Sequence, residues 1–217
     1  MHVLYADNHL LVVHKPGGVP VQADDSGDLD LLTMGKAWVK EQKHKPGEVF
    51  LGLVHRLDRP ARGVVVLART SKAAARLSLQ FRERTTQKLY RVAVHGRPKL
   101  DTARLENFLE TDENGARIVN SPRGKQSSLT YRLLETDGRR SHLEVQLETG
   151  RKHQIRCQLA AIGCPVLGDL RYGAPEPLAD RCIALLAWQL TLQHPTTREM
   201  QTFQAPELVG WPWNPRG

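Results

Sequence analysis

One carboxylate, Asp58, lies among arginines in the run Val54-His55-Arg56-Leu57-Asp58-Arg59-Pro60-Ala61-Arg62. Cations within a few ångströms keep a carboxyl group ionised. An ionised carboxylate beside Arg56, Arg59 and Arg62 can act as a nucleophile or a general base on a phosphate-bearing substrate. The alternative is a surface loop whose charges merely pair.

A second cluster is Glu148-Thr149-Gly150-Arg151-Lys152-His153-Gln154-Ile155-Arg156. Gly150 permits a tight turn, and the spacing puts Arg151 in the first turn of the helix that follows. An arginine there opposes the helix dipole, so local stability does not account for it. Arg151, Lys152 and Arg156 suit phosphate contacts, and an anion-binding helix end is the plainer alternative. A third group, Gln87-Lys88-Leu89-Tyr90-Arg91, sets Tyr90 on the strand face opposite Leu89. A tyrosine beside Lys88 and Arg91 can stack on a nucleobase. By itself it reads equally as a core or rim aromatic.

Other chemistries lack their residues. His153 has no histidine partner at i+4, and no His/Cys/Asp cluster has zinc spacing. No Gly-rich phosphate loop, Walker lysine or serine elbow is present. Asp58 has no second carboxylate close in sequence for glycoside hydrolysis. The sequence therefore predicts no metal.

The elements that must hold these residues are strand-rich. Val3–Tyr5 and Leu10–His14 read as strands around Ala6-Asp7-Asn8, and Lys15-Pro16-Gly17-Gly18 ends the second. Leu31–Gln42 has mixed helical periodicity, and residues 43–47 form a basic turn. Leu51–His55 and Val64–Ala68 read as strands, the second a β-branched run expected to be buried on both faces. Arg56–Gly63 is then a loop. Ser71–Arg84 is a helix capped by Ser71, with Ala73, Ala74, Leu77 and Phe81 on one face. Leu89–His95, Thr130–Leu134 and Leu143–Leu147 are strands. Lys152–Ile162 is a helix ended by Gly163, and Ile183–Leu192 is a buried strand. No regular βα alternation appears. The fold class expected is α+β, a mixed and mostly antiparallel central sheet with flanking helices, in one domain spanning residues 1–217.

The 217 residues carry 31 Lys and Arg against 23 Asp and Glu, a formal charge of +8 and a pI near 9.7. Such a balance favours polyanions, because each phosphate neutralised releases counterions. Three cysteines, Cys157, Cys164 and Cys182, leave an odd thiol and fit a reducing compartment. Neither a signal peptide nor a membrane-spanning run is recognisable, so a cytoplasmic protein is expected.

In their order along the chain, these clusters resemble the RluA-type pseudouridine synthases. Leu11-Val12-Val13-His14-Lys15-Pro16-Gly17-Gly18 is similar to the family's opening strand and turn. His55-Arg56-Leu57-Asp58-Arg59, followed by Gly63 and Val64–Ala68, is similar to its signature loop. Lys88-Leu89-Tyr90 and Thr149-Gly150-Arg151-Lys152-His153-Gln154-Ile155-Arg156 match two further motifs. Gly168-Asp169, Tyr172-Gly173, His194-Pro195 and Ala205-Pro206 fit the closing ones. One departure is Ala61-Arg62, where the family usually has Thr-Ser.

The resemblance implies the pseudouridine synthase catalytic fold with an RNA-binding cleft, and isomerisation of uridine without a cofactor. It also implies roles. Asp58 would be the catalytic carboxylate, Arg151 would pair with it, Tyr90 would lie against the base, and Arg56 would fill the space left by a flipped base. Arg56, Arg59, Arg62, Lys88, Lys152 and Arg156 make up the expected RNA-binding set. The partner expected is structured RNA, ribosomal or transfer, with no membrane and no obligatory protein partner, the protein being a monomer. The chain is expected to begin at the catalytic domain, without the S4-like extension of many relatives. A non-catalytic RNA-binding protein on the same scaffold is the rival reading. A nuclease is disfavoured by the missing carboxylate cluster and histidine pair.

Overall fold

A computed structural model describes residues 1–43, 47–113, 115–121, 123–206 and 212. The expected basic turn over 43–47 lies largely outside them. In chain order the elements are β1 (His2–Ala6), β2 (Leu10–Lys15), α1 (Leu31–Lys43), β3 (Gly52–Leu53), β4 (Arg62–Ala68), α2 (Ser71–Glu83), β5 (Gln87–His95), β6 (Thr102–Thr111), β7 (Ala116–Val119), β8 (Lys125–Thr136), β9 (Arg140–Leu147), α3 (Gln154–Ala161), β10 (Leu185–Gln193) and β11 (Met200–Gln204). They fall into two compact units, one of Met1–Gln87 with Ala187–Pro206, the other containing Lys88–Leu186. The α+β class holds, and every strand pairing with a described register is antiparallel.

In the first unit the strands run β1-β2-β4-β10, with β3 also on β4 and β11 on β10. Leu10–Val13 and Val64–Ala68 are at most 1% exposed, as a run buried on both faces requires. The Asp7 carboxylate makes the β1–β2 turn, accepting from the His9 and Leu10 amides at 2.7 Å each. His194, 2% exposed, donates from Nε2 to Asp7 at 2.9 Å while its Nδ1 accepts from the Thr197 amide at 3.0 Å. The His194-Pro195 motif thus ties the turn before β11 to the turn after β1. Helix α2 docks beside it, since Gln80 exchanges hydrogen bonds with the Gln193 backbone at 2.8 and 2.9 Å.

Two local expectations change here. The cap of α2 is Thr70, whose extended backbone lets its hydroxyl accept from the Ala73 amide at 3.1 Å. Ser71, expected to cap, is already helical. Strand β3 covers only Gly52–Leu53, because His55 turns away and its Nε2 accepts from the Val66 amide at 3.0 Å. That bond, with the ring stacked on Phe81 at 4.6 Å between centroids, sets the path into the Asp58 loop.

The loop is fixed from the other side by Lys15, the last residue of β2. Its side chain is wholly buried, and its ammonium donates to the carbonyls of Pro16 (3.0 Å), Val19 (2.8 Å) and Arg59 (3.0 Å). A buried cation is tolerable only with such partners. The amide of Gly18 adds a 2.9 Å bond to the same Arg59 carbonyl. The turn after β2 and the loop before β4 are therefore clamped together one residue from Asp58.

The second unit has strand order β5-β9-β8-β6-β7. Register places Tyr90, Val145, Tyr131 and Ala103 in one cross-strand row. That face also carries Val92, Leu143 and Leu129, all 0% exposed, whereas the next row pairs Arg91 and Arg132 with Glu144 at 3.1 and 2.9 Å. Strands β6 and β7, and β11 in the first unit, have no counterpart among the sequence-based expectations. In β6 the alternation Ala103, Leu105 and Leu109 is present, but Asn107 interrupts it.

Two expected outcomes test these packing arguments. Lys15→Met keeps the buried stem but leaves its carbonyl acceptors without their donor, which should destabilise the fold by about 3 kcal/mol in urea titrations. His14, paired with His2 on β1 and Val64 on β4, is pushed down to about 4, first by burial and then by the charges of His2, Arg62 and Lys15. The unfolded chain takes up this proton near pH 6.5 and the folded chain only near 4. Stability is thus full above pH 6.5 and declines as pH falls to 4, by at most about 1.4 kcal/mol per pH unit. His14→Gln should flatten the melting temperature against pH in that window.

Candidate active site

In the first unit Asp58 lies on the loop between β3 and β4. Its carbonyl accepts from the Ala61 amide at 3.1 Å, closing a turn over Asp58-Arg59-Pro60-Ala61. Leu57 and Ala61, 9% and 2% exposed, anchor the loop on either side of Asp58, which is half-buried. Gly63 then enters β4 with φ of +123°, and a Cβ there would stand 2.3 Å from the Ala187 carbonyl oxygen. Only glycine allows that approach.

The arginines of this loop have separate fates. Arg56 is exposed. Arg59 donates from Nε to the Gly18 carbonyl at 2.9 Å, and its guanidinium pairs with Asp28 and, at 3.5 Å, with Asp24. It braces the 18–28 segment while remaining partly exposed. Arg62 begins β4 and is half-buried, close enough to His14 to help hold that ring neutral.

In the second unit Lys88 and Tyr90 share the buried-side face of β5, two residues apart. Both are half-buried. The Lys88 ammonium lies over the Gly150 turn, 3.7 Å from where a Cβ on Gly150 would stand. Tyr90, Lys88 and the turn leading to Arg151 therefore lie at one end of β5 and β9.

The turn itself is built from a buried amide. Gln154, 2% exposed, accepts at Oε1 from the Thr149 hydroxyl (2.7 Å) and from the Arg151 amide (3.1 Å). Its Nε2 donates to the Ser128 carbonyl and to Gln158, each at 3.0 Å. Gln158 continues to Asn107 at 2.7 Å. A satisfied buried network of this kind specifies one geometry. Glu148, just before the turn, is pushed down to about 2, chiefly by the two bonds of 2.8 and 2.7 Å from Arg104.

Two sequence expectations are corrected by this geometry. Helix α3 begins at Gln154, not Lys152, so Arg151 stands in the turn ahead of the helix rather than in its first turn. Its Nε is buried and has no hydrogen-bond partner among the described residues. Arg156, expected to meet RNA, is 4% exposed, with its guanidinium bidentate on Asp169 at 2.6 and 2.9 Å and 5.0 Å above the Tyr172 ring. It belongs to the scaffold. Lys152 donates to the Asp112 and Glu113 carbonyls at 2.7 and 3.0 Å. Among the described residues no group of three or more His, Cys, Asp or Glu could hold a metal ion.

Lys15 and Gln154 were not singled out from the sequence. The usable signal was a lysine at the end of an apolar strand, and a glutamine five residues after a threonine. Neither spacing reveals which backbone groups will need a buried partner.

Comparison with known proteins agrees with these motifs. Residues 9–161 match the family model described as RNA pseudouridylate synthase. An uncharacterised RNA pseudouridine synthase of Aquifex aeolicus is 32% identical over 95% of this chain and 69% of its own length. The dual-specificity RNA pseudouridine synthase RluA of Escherichia coli is 33% identical over 94% of this chain and 92% of its own. The solved structure of human RNA Pseudouridylate Synthase Domain Containing 4 superposes with a TM-score of 0.81 at 25% identity, covering 97% of this chain and 90% of that one. The chain spans only 62 to 69% of the length of many curated relatives that it matches. With the match covering well over half of its residues, the chain belongs to the RNA pseudouridylate synthase family.

Proposed function

We propose that this protein isomerises uridine to pseudouridine in structured ribosomal or transfer RNA, with the chain acting as a single catalytic domain. The N-glycosidic bond breaks, the held base turns, and C5 bonds to the sugar carbon. C5 gives up its proton and N1 gains one, so the reaction needs no cofactor or outside reductant. The observation that carries the reading is the Asp58 loop, a half-buried carboxylate whose backbone is clamped through the neighbouring Arg59 carbonyl by a buried ammonium. Such fixation is what a group acting directly on sugar or base requires.

Asp58 is the catalytic carboxylate in this proposal. Arg151 keeps it ionised and oriented, and Tyr90 stacks on the target base. Arg56, exposed, fills the position that the base leaves. Flipping costs a few kcal/mol, least for an unpaired base, so loops and bulges are preferred over perfect duplex. Arg62, Lys88 and Lys152 meet backbone phosphates, and Arg59 adds to the same field. A cytoplasmic monomer is the matching setting. In support, no helix among the described residues is long and apolar enough to cross a membrane.

Asp58→Asn should abolish pseudouridine formation on total RNA while shifting the melting temperature by no more than a few degrees, since Asp58 sits on a polar loop. More than trace turnover would remove Asp58 from the chemistry. Arg62→Ser restores the usual family residue and deletes one cation. Titrations at several salt concentrations should give weaker RNA binding and a log–log slope shallower by about 0.7 to 0.9. A collapsed rate with an unchanged slope would place Arg62 in bond-breaking instead.

A further inference from the structure

Between the Arg151 turn and α3 the chain passes through His153, whose φ of 54° and ψ of 22° are left-handed. Non-glycine residues adopt that conformation uncommonly, as only Arg84, Arg181 and Arg198 do elsewhere among the described residues, and such positions gather at functional sites. The His153 side chain meets Tyr172. Its hydroxyl lies 2.9 Å from His153 Nδ1, and the two rings meet edge to face with centroids 5.7 Å apart. The same hydroxyl accepts from the Ala116 amide at 2.8 Å and lies 3.2 Å from the Ala116 carbonyl.

Tyr172 is itself held. Arg156 stacks on its ring and is locked in turn by the buried Asp169 carboxylate. The neighbouring glycine is required, because a Cβ on Gly115 would stand 2.8 Å from the Tyr172 hydroxyl. The arrangement therefore has a fixed end at Asp169 and a strained end at His153. Gln154 fixes the Arg151 amide from one side, and the His153 backbone fixes the chain on the other.

We propose that Tyr172 is a positioning residue for Arg151, acting by holding His153 in the left-handed conformation that sets where the Arg151 turn points. The buried Nε of Arg151 donates no hydrogen bond among the described residues, so the course of the backbone contributes to where this side chain points. This inference rests on the reading of Arg151 as the partner of Asp58 in catalysis. Neither Tyr172 nor His153 touches the reacting base in it.

The test is a double-mutant cycle on the full chain with pseudouridine formation as readout. Tyr172→Phe keeps the ring against Arg156 and removes the hydroxyl. It should lower kcat at least tenfold and leave KM for RNA within about twofold. His153→Asn removes the ring that Tyr172 holds and places there a residue that visits the left-handed region with local support from its own side chain. In that background, Tyr172→Phe should cost less than threefold in kcat, because the hydroxyl no longer has a conformation to enforce. A residue serving only to hold up β7 through Ala116 would give the same loss in both backgrounds, and that result overturns the proposal. So does a raised KM with unchanged kcat, or a Tyr172→Phe enzyme as fast as wild type. Should Tyr172→Phe unfold, the His153→Asn/Tyr172→Phe double variant must unfold less readily, or the proposal falls. An inactive wild-type enzyme would overturn the proposed function and this proposal with it, whereas an active wild type matched by Tyr172→Phe overturns this proposal alone.

Discussion

The buried ammonium of Lys15 is the constraint on which the first unit's Asp58 loop depends. A charge with no exposed surface must find acceptors inside, and the ones in reach are main-chain carbonyls from two separate segments. Because Pro16, Val19 and Arg59 all meet one ammonium, neither the turn after β2 nor the loop before β4 can move alone. The loop then continues into Gly63, where the Ala187 backbone leaves no room for a side chain. Clamp and close approach together leave Asp58 on a short span with both ends fixed.

The second unit solves the equivalent problem with a neutral group. Gln154 carries one acceptor and two donor hydrogens, and all are used: the Thr149 hydroxyl and Arg151 amide on the oxygen, the Ser128 carbonyl and Gln158 on the nitrogen. An amide meets these donors and acceptors without placing a further buried charge beside Arg151. The polar residues of this motif thus divide by depth. Thr149, Gln154 and Arg156 are buried and build, while Lys152 and Arg151 are half-buried and stand at the edge.

The basic surplus of the chain divides in the same way. Arg59, Arg104 and Arg156 are paired with Asp24 and Asp28, Glu148, and Asp169 respectively. Surface pairs of the first two kinds are worth little to stability and are screened by salt. The buried Arg156–Asp169 pair differs, since removing either member would leave a charge without compensation. The count of 31 Lys and Arg therefore overstates how many cations a phosphate backbone can meet, and the useful ones must be found residue by residue.

The primary structure by itself determined the family, the α+β class, and which loop and which turn carry the motifs, because those signals are local. An Asp among arginines, a β-branched run with a following glycine, and Thr-Gly-Arg before a helical pattern all lie within a few residues of each other. It also marked β2, β4, α2, β5, β9 and α3 through their periodicity. What it could not decide are the partners across the chain. Ser71 and Thr70 are equally good caps until backbone angles choose between them. Arg156 and Lys152 are both basic residues in one motif, and only the approach of Asp169, thirteen residues on, buries the first. Strands β6 and β7 carry interrupted alternation and exist because β8 offers β6 a complete edge. The roles of Lys15 and Tyr172 belong to this second class. Lys15 at Arg59 and Tyr172 at Ala116 each bond a backbone group more than forty residues away in sequence, and such unmet donors and acceptors come into being only when the chain has folded.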